Sequence, residues 1–445
     1  MKKNLLLLLL LLFTKLVFAQ PHLYLVKAGK LFDSEGGVFL PNRAILVSGA
    51  RIDTVKEISA LTTADYKKYT EVIDLLQYAV TPGLIDAHTH LLNREVIHPG
   101  DNPTGMDMAK VLTLEGDAYR AIYGTARAKA FLENGITAVQ DLGNSGQFTD
   151  IALRNAIYLG LVPGPRMSCS GPGLSSEGGQ LPGLIYKHRD LVNDEYRIVK
   201  GVDDAIQAVR ENITQGADVI KVYANNTPNN TMLSIDEMTA IVKEAHRYGV
   251  RVTAHATNNS AVYNAVMAGI DGIEHGYSIE DSTLDLMAKR NVVLVPTLLD
   301  SVEVRKIIEK TSLGNEERQK HIGDNVSNYI IWKSRMLQNA IRHKVTIVNG
   351  SDDYVDFGLP MGTATKYNMV SYVQAGMPLM DVLQSATSVA AKHLRWKDRV
   401  GVIKKGAFAD IVAFDANLDK DINALFHTHF VMKNGQVYVE GKKGL

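Results

Sequence analysis

The polar and apolar positions follow two rhythms, and these divide the chain. From about Tyr24 to Val80 the apolar runs are short and of strand length: Leu23-Tyr24-Leu25-Val26-Lys27-Ala28-Gly29, Ala44-Ile45-Leu46-Val47 and Arg51-Ile52-Asp53-Thr54-Val55. Turn residues such as Gly36-Gly37 and Ser48-Gly49 separate them. The tail from about Val400 has the same texture. Gly401 to Phe414 reads as a strand pair, and Phe430 to Val439 as a hairpin turning at Asn434-Gly435. Neither terminal piece can bury a good core alone. Together they are expected to form one small discontinuous β-sandwich.

Between them, apolar strands alternate with amphipathic helical stretches. The strands read as Leu84–Ala87, Ile136–Asp141, Arg166–Ser170, Asp218–Tyr223, Val250–His255, Gly272–His275, Val292–Pro296 and Val345–Asn349. A helix is expected near Thr113 to Glu133, ended by Asn134-Gly135. Another runs from Ser234 to Tyr248, opened by a Ser234/Glu237 capping box and ended by Gly249. The long helical region from Ser301 to His343 is an elaboration before the eighth strand. Eight β/α units predict an α/β fold, a (β/α)8 TIM-like barrel. The expected boundaries are 20–80 and 397–445 for the two parts of the β-sandwich, and 81–396 for the barrel.

The first residues belong to neither rhythm. Lys2 and Lys3 precede an apolar run from Leu5 to Phe13, and Val17-Phe18-Ala19 offers small-x-small cleavage chemistry before Gln20. The run is too short to span a bilayer comfortably, and Lys15 interrupts its end. Residues 1–19 therefore read as a signal peptide, which predicts a secreted or periplasmic protein with no stable membrane anchor after cleavage. One cysteine, Cys169, excludes an internal disulfide framework. The 445 residues give a length prior of about three domains, but a barrel with insertions can reach this size as one unit. Apolar content of 46% and 48 basic against 48 acidic residues describe an ordinary globular protein of zero formal charge. Nothing there suggests nucleic acid or an anionic membrane as partner. The expected partner is a small-molecule substrate, and a homo-oligomer is left open.

The candidate chemistry starts in Val80-Thr81-Pro82-Gly83-Leu84-Ile85-Asp86-Ala87-His88-Thr89-His90. Pro82-Gly83 reads as a turn and Leu84–Ala87 as a short buried strand. Residues i and i+2 of a strand face the same way, so His88 and His90 can converge on one metal ion at about 2.0–2.1 Å. In a parallel barrel, functional groups cluster at the C-terminal strand ends. Those ends carry His88 and His90, Lys221, His255, His275 and, just past the eighth strand, Asp352. Each has a plain alternative: His255 a core histidine, Lys221 a snorkelling lysine, Asp352 a helix cap. Jointly these alternatives require repeated coincidences of position.

With these residues in view, the chain resembles metal-dependent hydrolases of the amidohydrolase superfamily, on the imidazolonepropionase-like and Xaa-Pro dipeptidase-like side. The likeness spans about Val26 to Val439. It rests on the Thr81–His90 segment, Ile273-Glu274-His275-Gly276, Asn349-Gly350-Ser351-Asp352 and Gly401 to Val412. The resemblance implies that His88, His90 and Asp352 hold one metal and His255 and His275 a second. It also implies that Lys221 is carboxylated and bridges the two, with Asp352 as catalytic base and then acid. Imidazole and carboxylate ligands suit zinc, so two Zn²⁺ ions are the expected cofactors. The substrate-reading groups differ from many relatives: Gly178-Gly179-Gln180 replaces a Gly-Gly-His, Thr257 an aromatic residue and Gln140 an arginine. Tyr223, His98, Gln180 and His188 are the candidate substrate contacts, with surface or packing roles equally open.

The expected activity is metal-assisted hydrolysis of an amide-type bond in a small molecule, such as a dipeptide or acyl amino acid. A cyclic amide or lactone hydrolase is the alternative within enzymes. A catalytically silent metal- or ligand-binding protein is the alternative outside them.

Overall fold

The computed structural model describes residues 22–97, 99, 111–181 and 183–441. The expected signal peptide, 1–19, lies outside the described residues, as does His98. In chain order the strands are β1 (Leu23–Asp33), β2 (Val38–Ser48), β3 (Arg51–Glu57), β4 (Glu71–Pro82), β5 (Leu84–Thr89), β6 (Glu95–Val96), β7 (Ile136–Asp141), β8 (Arg166–Cys169) and β9 (Gly173–Ser175). They continue as β10 (Tyr196–Ile198), β11 (Val219–Tyr223), β12 (Arg251–Ala256), β13 (Gly272–His275), β14 (Val293–Val295), β15 (Val355–Asp356), β16 (Ile411–Asp415), β17 (Thr428–Lys433) and β18 (Gln436–Glu440).

Both chain ends share one seven-stranded sheet, ordered β18-β17-β16-β4-β1-β2-β3. They meet where β4 pairs antiparallel with β16, Val80 opposite Ala413 and Pro82 opposite Ile411. Alternating residues of β1 feed the two faces, as a period of two requires. Tyr24, Val26 and Ala28 pack with Ile411, Ala413 and Phe430, while Leu25 packs with Leu46 and Tyr69. The hairpin forms as expected, with Asn434 and Gly435 at φ 51° and 72°, the left-handed pair that a two-residue turn needs. The expected strand pair over Gly401–Phe414 does not form, and only Ile411–Asp415 is strand. Gly401 and Gly406, at φ 69° and 86°, break the extended backbone. The segment instead bonds irregularly along the sheet edge, Ile52 N donating to Ala407 O and Ala409 N to Ala50 O.

The Pro82-Gly83 turn is also corrected. Thr81 and Pro82 complete β4, and the chain passes through Gly83 straight into β5. Gly83 has no left-handed φ, and what it supplies is space. A Cβ there would lie 2.0 Å from Thr137 Oγ1.

The central parallel strands form two sheets, β5-β7-β8 and β10-β9-β11-β12-β13-β14, and helices alternate with them along the chain. Asp218 N donates to Cys169 O at one seam. At the other, the run 345–352 lies between β14 and β5: Leu294 N donates to Thr346 O, Ala87 N to Asn349 O and Asp352 N to His88 O. This run was expected as an eighth strand. It makes an isolated bridge, Leu294 to Ile347, because its hydrogen bonds are divided among Leu294, Ala87 and Ser385 rather than ranged along one neighbour. The arrangement is a TIM-barrel-like α/β fold. Its helices match the sequence pattern closely: Gly116–Glu133 follows a short π-helical turn at Val111–Glu115, and Ile235–Arg247 carries the Ser234/Glu237 capping box. The main core joins strand residues such as Val139, Ile220, Val222 and Ala254 to helix residues such as Phe131, Val209, Ile241 and Val262.

Candidate metal centre

Strand β5 is buried along its whole length, and it closes with His88-Thr89, with His90 as the next residue. Apolar neighbours on both sides hold the strand, and the H-x-H spacing turns both imidazoles to one side. Asp352 approaches from the run after Asn349, its backbone N–H bonded to His88 O at 2.8 Å. His88 Nε2 and His90 Nε2 lie 3.2 Å apart, and Asp352 Oδ1 lies 3.3 and 3.1 Å from them. Among the described residues, this is the one group of histidine, cysteine and acidic side chains whose ligand atoms all fall within 4.8 Å of one another.

The donor set fits a divalent cation. Ligands about 2.0–2.1 Å from a tetrahedral centre stand about 3.3–3.4 Å apart, close to what the three atoms show. The outer ring nitrogens are already committed. His90 Nδ1 donates to Gly143 O at 2.8 Å, and a carbonyl can only accept, so in its neutral form the ring turns an unprotonated Nε2 inward. His88 Nδ1 lies 2.7 Å from Glu274 Oε2, a buried carboxylate whose other oxygen accepts the Thr253 hydroxyl. Burial and the nearby Lys221 charge push the His88 imidazole well below its ordinary pKa, keeping it in the neutral form a metal ligand needs. Burial pushes the Asp352 carboxyl up, but His88, His90 and Lys221 outweigh that and hold it below its ordinary value.

Lys221, on β11, is buried, and desolvation lowers the pKa of its amine against the pull of Glu274 and Asp352. His255 is the last residue but one of β12, with Nε2 3.4 Å from Thr227 Oγ1, and His275 ends β13 with Nδ1 2.8 Å from Thr297 Oγ1. Their ring centroids are 4.6 Å apart, and His275 is 5.1 Å from His88. The six expected ligands thus share one mouth, although Lys221, His255 and His275 stand outside the tight three-residue group. Asp352 caps no helix, since the next one begins at Ala364. His275, Thr297 and Asp352 have φ of 71°, 47° and 56°, a conformation that costs a non-glycine residue about 1–3 kcal/mol and tends to persist where function requires it.

The candidate substrate contacts separate. Tyr223 is buried beside the mouth, its ring 5.3 Å from His255 and its hydroxyl 3.1 Å from Asn144 Oδ1. Gln180 spends both ends of its amide on the loop after β11: Nε2 donates to Asn225 O, and Oε1 accepts from Thr227 N. That makes it a brace for the loop. His188 is exposed on the 3-10 segment Tyr186–Asp194. Gln140 donates to Ala87 O and accepts from Arg251, so β12 supplies the buried guanidinium of this layer. Sequence reasoning assigned no role to Glu274 or Thr297, whose contacts orient His88 and His275. Glu274 stood inside a quoted motif, whereas nothing about Thr297 marked it.

A model of the amidohydrolase family matches residues 79–442. Over 448 aligned positions the chain is 26% identical to an ochratoxinase of Aspergillus niger, covering 93% of this chain and 86% of that one. It is 25% identical to an imidazolonepropionase of Fusobacterium nucleatum subsp. nucleatum, covering 84% of each. A crystal structure of a Xaa-Pro dipeptidase with bound methionine in the active site superposes with a TM-score of 0.77 at 28% identity, over 94% of this chain and 100% of the other.

Proposed function

The chain belongs to the amidohydrolase family, a hydrolase acting on carbon–nitrogen bonds, and from that premise we propose that it cleaves the amide bond of a small dipeptide or acyl amino acid. The observation that carries this reading is the convergence of His88 Nε2, His90 Nε2 and Asp352 Oδ1 within 3.1–3.3 Å. We read the site as binuclear, with zinc as the metal. His88, His90 and Asp352 would hold one ion, His255 and His275 the other, and a carboxylated Lys221 would join them. Such ions supply acidification of a water and polarisation of a carbonyl. The protein's own part is positional and acid–base. Glu274 and Gly143 fix the two imidazoles through Nδ1. Asp352, turned in by its left-handed backbone, accepts the proton of the attacking water and returns it to the leaving nitrogen. Tyr223 borders the space where substrate would lie.

The amide specificity is suggested by relatives named ochratoxinase and Xaa-Pro dipeptidase, each similar over nine-tenths of this chain. We further read the parallel strands as one (β/α)8 barrel, the sheet from the chain ends as a discontinuous β-sandwich, and the mature protein as secreted or periplasmic. Turnover of the zinc-loaded protein on a panel of dipeptides, N-acyl amino acids, lactones and cyclic amides tests the reading. Cleavage concentrated on the first two supports it. Cleavage of lactones or cyclic amides alone selects that branch instead. Full metal binding with no turnover on any member would leave a binding protein.

A further inference from the structure

We infer that Arg127 is a positioning residue for the metal centre, tying the strand end that carries His90 to the segment that carries Asp352. The inference rests on the metal-site reading above and adds a residue outside it. Arg127 lies on the helix Gly116–Glu133 and is 3% exposed. Its guanidinium makes four short polar contacts. Nη1 donates to His90 O at 2.9 Å and to Asn93 O at 2.6 Å. Nη2 donates to Asp353 O at 2.6 Å and meets Asp353 Oδ2 at 2.6 Å. One planar group thus holds three backbone carbonyls and one carboxylate, on two segments more than 200 residues apart in sequence.

The contacts fall beside the metal ligands. His90 is itself one of the three, and Asp353 immediately follows another. Asp352 holds a left-handed φ of 56°, a conformation that must be fixed from outside. Its N–H is fixed by His88 O, and the carbonyl of the next residue is fixed by Arg127. Removing the guanidinium removes the side-chain tie on Asp353 and leaves the Thr89–Asp353 bridge and the Glu95 N–H to Tyr354 O bond as the ties on the C-terminal side of Asp352, whose Oδ1 must stay 3.1 Å from His90 Nε2. Arginine is suited to this because its donors form a rigid fork. Lysine offers three donors around one atom on a flexible stem and cannot span both segments.

The same helix shows that this is a built clamp. Seven residues earlier, on the same face, buried Arg120 donates to Leu92 O at 3.0 Å and Asn144 O at 2.5 Å, and it pairs with Glu195 at 2.7 Å. Two arginines therefore grip the loop after the H-x-H, one binding it toward the loop after β7 and one toward Asp352. Tyr123, one turn before Arg127, lies beneath both Arg127 and Arg94, with guanidinium-to-centroid distances of 5.5 and 5.8 Å.

The test uses full-length zinc-loaded protein and reads zinc release to a competing chelator, together with the thermal midpoint of the zinc-free form. Outer residues that orient metal ligands typically change metal affinity by about 10–100-fold. Arg127→Lys and Arg127→Ala should release zinc faster by a factor in that range. Methylguanidinium should slow release from Arg127→Ala and leave wild type and Arg127→Lys unchanged, because only the alanine leaves a guanidinium-shaped space. Wild-type release rates in folded Arg127→Lys would overturn the inference. So would a folded Arg127→Ala that ignores methylguanidinium. If Arg127→Ala does not fold, release from Arg127→Lys decides. Wild-type protein that holds no zinc would instead bring down the metal-centre reading beneath it.

Discussion

Replacing Gly350 by alanine adds one methyl group at the point where the 345–352 run meets the ends of β5 and β14. Gly350 lies two residues before Asp352 and has no left-handed φ, so the substitution changes space and leaves backbone preference alone. The new Cβ would stand 2.4 Å from Val295 Cγ1, 2.8 Å from His88 Cβ and 3.0 Å from His88 N. Carbon atoms settle about 3.5–4.0 Å apart. Relieving the His88 contact therefore needs a retreat of about 0.7–1.2 Å between the 345–352 run and β5. Overpacking of this kind costs about 1–3 kcal/mol of stability. A misplacement near 1 Å in a catalytic constellation costs about 10²-fold in rate. Urea unfolding and kcat/KM on the best amide substrate would measure the two effects. Adding Val295→Ala separates them. It removes the side-chain clash and should recover part of the stability lost by Gly350→Ala, while the contacts to His88 remain and the rate stays low. A Gly350→Ala variant with wild-type kcat/KM and zinc affinity would refute the claim that His88 must sit where it does.

Asp352→Asn should keep the fold and much of the metal yet lose about 10²–10⁴-fold in turnover, since an amide cannot take the proton at neutral pH; near wild-type rates in steady-state assays would remove Asp352 from the mechanism. Buried Lys366 donates to Asn134 Oδ1 and Thr428 Oγ1, and desolvation pulls its pKa down to about 7. Because the unfolded chain then binds the proton more tightly, its penalty is full below about pH 7 and fades as pH rises toward the ordinary lysine value. Wild-type stability should therefore climb more steeply between pH 7 and 10 than that of Lys366→Met, and equal slopes in urea titrations would count against a neutral Lys366. Mass spectrometry of secreted or periplasmic protein should find Gln20 at the N-terminus, and an intact Met1 would overturn the export proposal.

The parallel strands were legible because a strand buried on both faces is a continuous apolar run, and here several carry a histidine or lysine in their C-terminal halves. Glycine and capping residues marked the helix ends for the same local reason. What the pattern could not give depended on distant partners. Val345–Asn349 looks like the other buried strands, but its backbone bonds are shared among several neighbours. Gly401–Phe414 has strand-like residues, while its glycines at left-handed φ bend it along another edge. Gly83 looked like a turn residue, and only the position of Thr137 shows that it is a spacer. The candidate metal ligands were readable as residues near strand ends. The groups that orient them were not. Arg120 and Arg127 look like solvent-facing positions of an amphipathic helix, although they share a stripe with Gly124, Ala128 and Phe131, which are buried. Gln180 sits in a glycine-rich loop, where a substrate contact and a loop brace look the same in one dimension.

The most direct test of the metal-dependent mechanism is to count zinc per chain and measure amide hydrolysis on the same sample, for wild type and Lys221→Ala, before and after chelation. We expect two ions in the wild type, with turnover lost on chelation and restored by added zinc. Lys221→Ala removes the proposed bridging group, and we expect reduced metal content with activity nearly abolished. A wild-type chain stripped of metal that still turns over at its full rate would contradict the account. Two ions and normal activity in Lys221→Ala would contradict the binuclear arrangement and leave a single ion on His88, His90 and Asp352.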